Sequence, residues 1–160
     1  MKFRVEREVL AEALGAAARV ASTRNNAMPA LSGVKLEVTG DQLMLSCTDN
    51  DLSVQFVLPV GGQADGVVVA SAKLLSDIVR AGADGKVTFE SAGEEVHISS
   101  GRAQTTVATF AANDFPHIAL ASAPPVTLSA PLLSEALRQV VRAASSDMQR
   151  LPLTGVLMSA

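Results

Sequence analysis

Val9-Leu10-Ala11-Glu12-Ala13-Leu14, near the start of the chain, returns as Leu132-Leu133-Ser134-Glu135-Ala136-Leu137. At the same offset Arg19 falls on Arg142, Ala21 on Ala144 and Ser22 on Ser145. One deleted residue later, Leu31-Ser32-Gly33-Val34 matches Leu153-Thr154-Gly155-Val156, and the loops 24–29 and 147–152 correspond as well. In the first copy Leu10, Leu14, Ala17, Ala18 and Ala21 recur at helical spacing, which predicts an amphipathic helix from Glu8 to about Ala21. The repeat sets the domain organisation: residues 1–122 form one unit, and 126–160 begin a second. Residues 123–125 link them, because Pro124-Pro125 breaks both ladders and helices.

Inside the first unit a shorter repeat is visible. Phe3-Arg4-Val5-Glu6 alternates as a strand, the helix follows, and the polar stretch from Ser22 to Pro29 is a loop. Three strands come next, at 33–38, 42–49 and 52–59, split by the turns Thr39-Gly40-Asp41 and Asp49-Asn50-Asp51. Gly61-Gly62-Gln63-Ala64-Asp65-Gly66 reads as a flexible connection. The order then recurs: a strand at 67–70, Ser71 as N-cap, and a helix at 73–81 with Leu74, Leu75, Ile78 and Val79 on its apolar side. Strands at 86–90, 95–100 and 104–110 complete it. Gly40-Asp41-Gln42-Leu43-Met44-Leu45-Ser46 lies over Gly93-Glu94-Glu95-Val96-His97-Ile98-Ser99. Residues 1–60 and 61–120 are therefore expected to be two βαβββ halves of one α+β domain. The second unit offers only one strand, one helix and the start of another strand, which leaves Leu133, Leu137, Val140 and Val141 without a sheet to pack on. The chain reads as a fragment of a longer repeat protein, cut short or completed elsewhere.

Composition narrows the function. The chain has 160 residues, 48% of them hydrophobic and 18% charged, so it can bury a core and is not of the disordered class. No apolar run approaches the ~20 residues that span a bilayer, and Met1-Lys2-Phe3-Arg4 opens no signal peptide. A single cysteine, Cys47, forms no internal disulfide and fits a reducing cytoplasm. A net charge of −3 gives no overall attraction to polyanions, and Phe 5 with no Trp or Tyr argues against base stacking. Nucleic-acid contact would need a local basic surface on an acidic body.

No catalytic constellation, metal site or cofactor motif is legible. His97 and His117 fall on different elements without ligand spacing, and Cys47 sits in an apolar strand as a small core residue. Asp49-Asn50-Asp51 lacks the Gly and Glu of a calcium loop, Val54 and Val60 standing there, and reads as a tight turn. The glycines of 61–66 lack a Gly-Lys-Ser/Thr ending, which excludes a P-loop. What remains is polar helix faces. Lys73, Asp77 and Arg80 share one face, as do Glu135, Arg138, Arg142 and Ser145, while Glu8, Glu12 and Arg19 mark the first helix. Each of 71–82 and 131–150 carries one excess positive charge, suited to loose phosphate contact. Ordinary solvated faces are the plainer account of such charges.

Several segments resemble the bacterial DNA polymerase III beta subunits, the sliding clamps. They are the opening Met1-Lys2-Phe3-Arg4-Val5-Glu6-Arg7-Glu8-Val9-Leu10, then Met28-Pro29-Ala30-Leu31-Ser32-Gly33-Val34, Leu74-Leu75-Ser76-Asp77-Ile78-Val79-Arg80, Ser100-Gly101-Arg102 and Asn113-Asp114-Phe115-Pro116. The resemblance runs across the chain in family order. It implies a DNA-clamp fold: a domain of two βαβββ halves with two helices packed on antiparallel sheets, followed by the start of a second similar domain. It further implies a head-to-tail homodimer ring around double-stranded DNA, bound whatever its sequence, with DNA polymerase III and a clamp loader as partners. By the same resemblance Arg24 and Lys73 match basic DNA-contacting positions. The loop Asp147-Met148-Gln149-Arg150-Leu151-Pro152 matches a DNA-contacting loop in which either Asp147 or Gln149 fills the place of a family Gln. Leu153 matches one edge of the pocket that receives clamp-binding peptides. Neither a cofactor nor an activity of its own is implied. The alternative from another class is a non-enzymatic α+β oligomerisation or scaffold module without nucleic-acid binding; an enzyme is a distant third.

Overall fold

The computed structural model describes residues 1–21, 28–118 and 126–159. β1 (Lys2–Glu6) buries Phe3 and Val5 and exposes Arg4 and Glu6, the alternation of a strand with one wet face. α1 (Arg7–Val20) starts on the next residue and buries Leu10, Ala13, Leu14, Ala17 and Val20. After a 3₁₀ turn at Pro29–Ser32 come β2 (Gly33–Thr39), β3 (Gln42–Thr48), β4 (Ser53–Pro59) and β5 (Gly61–Ala64). The second half repeats the order as β6 (Gly66–Ser71), α2 (Ala72–Ala81), β7 (Lys86–Ala92), β8 (Glu95–Ser100) and β9 (Ala103–Phe110). Gly40 at φ 55° and Gly93 at φ 61° turn the β2–β3 and β7–β8 hairpins at equivalent positions, where an L side chain is strained. Of the loop expected at 22–29, residues 22–27 lie outside the described residues.

All pairing is antiparallel, in the order β4-β3-β2-β6-β9-β8-β7-β1-β5. The first strand of each half inserts beside the hairpin of the other half: β1 pairs with β7 (Phe3 opposite Phe89) and β6 with β2 (Val34 opposite Ala70). The last strand of each half bridges two neighbours. β9 pairs with β8 along Ala103–Ala108 and then reaches β6 at Thr109 and Phe110. β4 and β5 do the same for β3 and β1, with only Val60 between them.

The flexible connection expected at Gly61–Gly66 is therefore mostly strand. Its glycines allow close approach. The Gly62 amide donates to Asp41 Oδ1 at 3.1 Å, and the Gly40 amide to Asp65 Oδ1 at 2.9 Å. A Cβ on Gly62 would overlap the Gly40 carbonyl oxygen.

The core lies between the helix pair and one face of the sheets, around Phe3, Leu10, Leu14, Leu36, Leu43, Leu75 and Phe89, all without exposed surface. The Phe3 and Phe89 rings stack with centroids 5.1 Å apart. The other face carries polar side chains in pairs: Lys2–Glu90 at 2.9 Å, Lys35–Glu37 at 2.8 Å, and Gln55 Nε2 donating to Ser46 Oγ at 3.1 Å. On α2, Ser71 caps as expected, accepting from the Leu74 amide at 3.4 Å. Leu74 itself is 52% exposed, against the sequence reading. The stripe that meets the core is Ala72, Leu75, Ser76 and Val79, and Leu74 is rotated off it.

The chain divides into two compact units, Met1–Ala119 and Leu120–Ala160. The linker expected at 123–125 lies outside the described residues. In the second unit α3 (Ala130–Val140) runs into a 3₁₀ turn at Val141–Ala143, and another 3₁₀ stretch covers Met148–Leu153. The helix and its turn start and stop at the repeat equivalents of Arg7 and Val20. The strands expected on either side are absent: 126–129 and 154–159 belong to no ladder. A strand exists only by virtue of a partner for its backbone groups. Among the described residues of this unit none is buried; Leu133 and Leu137 are half-buried, and Val140 and Val141 are exposed.

Candidate nucleic-acid interface

α1 and α2 pack against each other on the same side of the sheets, and their outward faces carry the charges found in the sequence. Glu8, Glu12 and Arg19 are exposed on α1, and Lys73, Asp77 and Arg80 on α2. The remaining cation of α1, Arg7, is committed elsewhere: its Nη2 lies 2.6 Å from Asp84 Oδ1, and its amide donates to the Gly85 carbonyl oxygen at 2.8 Å. Among the described residues Arg19, Lys73 and Arg80 have no carboxylate partner within 4.0 Å. With Glu8 3.9 Å from Arg7 Nη2, the three free cations face two carboxylates, Glu12 and Asp77, and leave the described helix faces close to neutral, with one positive charge in excess. Such a surface attracts phosphate at short range and holds it loosely.

One placement is invisible to sequence patterns. Gly15 of α1, within one turn of Glu12 and Arg19, is buried, and the Arg80 guanidinium from α2 lies over it. Glycine inside an alanine-rich helix is disfavoured, which marks Gly15 as unusual without naming the residue that approaches it. Glu12, Arg19 and Arg80 border a groove of about 460 Å³ whose apolar lining includes Phe56 and Leu58 of β4.

The residues singled out by resemblance fall as follows. Arg24 lies outside the described residues. Lys73 is the second residue of α2 and exposed. In the second unit Asp147 caps the 3₁₀ stretch, its Oδ1 accepting from the Gln149 amide at 3.0 Å, while Oδ2 lies 3.7 Å from Arg150 Nε. Gln149, Arg150, Leu151, Pro152 and Leu153 are exposed. His97 Nδ1 meets Thr106 Oγ1 at 2.9 Å on the sheet surface, and His117, exposed, borders a pocket with Lys35, Ser46 and Gln55. Among the described residues no group of three or more His, Cys, Asp or Glu could hold a metal, and no helix is long and apolar enough to cross a membrane.

Helices paired over two interlocked antiparallel sheets, built from βαβββ twice, define the DNA-clamp class of fold. The DNA polymerase III beta of Caulobacter crescentus superposes with a TM-score of 0.90 at 29% identity, over 97% of this chain and 42% of that one. The family model described as DNA polymerase III beta subunit, N-terminal domain, matches residues 1–119, and the chain belongs to that family. The beta sliding clamp of Streptomyces coelicolor is 35% identical over 158 residues, 98% of this chain and 41% of its own length. That of Micrococcus luteus is 32% identical over 147 residues, 92% of this chain and 47% of its own. The chain thus spans less than half the length of these relatives.

Proposed function

We propose that the protein is a DNA sliding clamp, a processivity factor that closes around duplex DNA and tethers the replicative polymerase. The observation that carries this is the set of open strand edges in the first unit. Among the described residues β4 pairs with β3 alone, β5 with β1 alone, and β9 along Ala103–Ala108 with β8 alone. Different open edges on a unit that the sequence repeats suit head-to-tail joining, which closes into a ring when the rotation allows. A ring linked topologically to DNA needs no tight binding, and near-neutral helix faces contact the backbone without reading bases. The tethered polymerase gains effective concentration at the primer end.

On this reading the partners are double-stranded DNA of any sequence, DNA polymerase III and a clamp loader; the working form is a homodimer in the cytoplasm, with no catalysis of its own. Arg24 and Lys73 contact phosphates. In the second unit Gln149, Arg150, Leu151 and Pro152 form the DNA-contacting loop. The Asp147 carboxylate is engaged by the Gln149 amide and Arg150, which favours Gln149 over Asp147 for the family's Gln position. Leu153 edges the peptide pocket.

The test loads the gene product onto nicked circular DNA. Retention there and loss after linearisation is the expected result, whereas equal behaviour on both forms supports the scaffold alternative. Arg24→Ala with Lys73→Ala should weaken contact at low salt, lowering the salt slope by about one unit or less per charge, with the thermal midpoint nearly unchanged. A collapsed fold in that variant would make the two residues structural instead.

A further inference from the structure

We infer that Arg19 and Arg80 form one phosphodiester seat over Gly15, kept weak by Glu12; the inference rests on the duplex-encircling reading and names residues beyond Arg24 and Lys73. Arg80 crosses from α2 to α1, and Gly15 provides the room: any Cβ there would press on the guanidinium. Arg19 stands one helical turn beyond Gly15 on α1, so arginine side chains from two helices border one groove of about 460 Å³. Neither has a carboxylate within 4.0 Å among the described residues. The groove's other lining is apolar apart from Glu12: Val9, Ala13, Ala16, Phe56 and Leu58 offer no side-chain acceptor. Among the described residues the fork-shaped donors of the two arginines thus have no acceptor in the groove's lining except Glu12, and phosphate oxygens match that fork. Glu12 borders the same groove and repels the same anion. The arrangement suits a contact that must form and break as DNA passes.

The seat is tested by titrating the 160-residue chain with a short blunt DNA duplex of mixed sequence at low salt, following the arginine side-chain Nε–Hε signals and the backbone amides by NMR. Sequence-independent contacts of about 10⁻⁴–10⁻⁶ M fall within its range. The Arg19 and Arg80 signals should move. Arg19→Ala and Arg80→Ala should each lower the salt slope by about one unit or less. Glu12→Gln should raise affinity about 1.5- to 5-fold, the size of one exposed charge interaction. That gain is not expected of a residue with a merely structural role, and Glu12→Gln leaves the Arg80–Gly15 packing untouched if Arg80→Ala perturbs the fold. If the Lys73 amide responds while the Arg19 and Arg80 signals stay still and Glu12→Gln is silent, the seat is wrong and the clamp reading stands. If nothing responds and the gene product also slips from circular DNA, the clamp reading falls and the seat with it.

Discussion

Cys47 stands in β3 with no exposed surface, its thiol donating to the Gly33 carbonyl oxygen at 3.4 Å. Burial pushes the thiol up from its usual 9.0 to about 11; the Thr48 backbone hydrogen bond pulls the other way, and the Asp49 carboxylate adds to the rise. Folding therefore favours the protonated thiol. Its contribution is complete below pH 9 and is lost as pH climbs through about 11, because the unfolded chain ionises first. The sequence has no tyrosine, and this buried thiol contributes to the alkaline loss of stability. Urea midpoints measured between neutral pH and pH 11 should fall above pH 9 in the native sequence and fall clearly less in Cys47→Ala. Equal slopes would remove Cys47 as the cause. That Cys47 is a core residue was legible from the alternation Leu43, Leu45, Cys47. That Arg80 lies over Gly15 was not, because the contact joins residues far apart in sequence and only tertiary packing brings them together.

At the scale of elements, α1 and α3 make a controlled comparison: the same sequence pattern, once with a sheet beneath it and once without. Leu14 and its repeat equivalent Leu137 differ only in surroundings, fully buried against half-buried. Leu14→Ala should cost about 2–5 kcal/mol by denaturant titration, and Leu137→Ala about 0.5 kcal/mol or less. Similar losses at both sites would mean the second unit has a core of its own. The pair also shows what sequence conveys. Helix extent is local, set by spacing and caps, and so both helices were readable, as was the exposed face of Lys73, Asp77 and Arg80. Strand existence is not local: 126–129 looks like a strand and has no partner, while Gly61–Ala64 looks like a linker and is held by β1. Leu74 misled for a related reason, since an apolar residue at the border of a helix stripe is placed by the rotation of the whole helix.

For the whole molecule the expected stability is uneven. Met1–Ala119 holds every buried hydrophobic residue of the described chain, and the second unit holds none. Amide hydrogen exchange should show the core of β2, β3, β7 and β8 opening only with global unfolding, and α3 exchanging orders of magnitude faster. Comparable protection in α3 would show that the second unit is stable as it stands. The exchange of first strands between the halves carries a longer consequence. A polypeptide of one half alone would leave β1 without β7 and the hairpin β2–β3 without β6, so neither part of its sheet would be completed. Two copies of such a half, each lending its opening strand to the other, would satisfy both. That is the geometry of a domain-swapped dimer. The simplest ancestor of this domain is then a small protein that worked only in pairs, made permanent when duplication and fusion placed both copies on one chain.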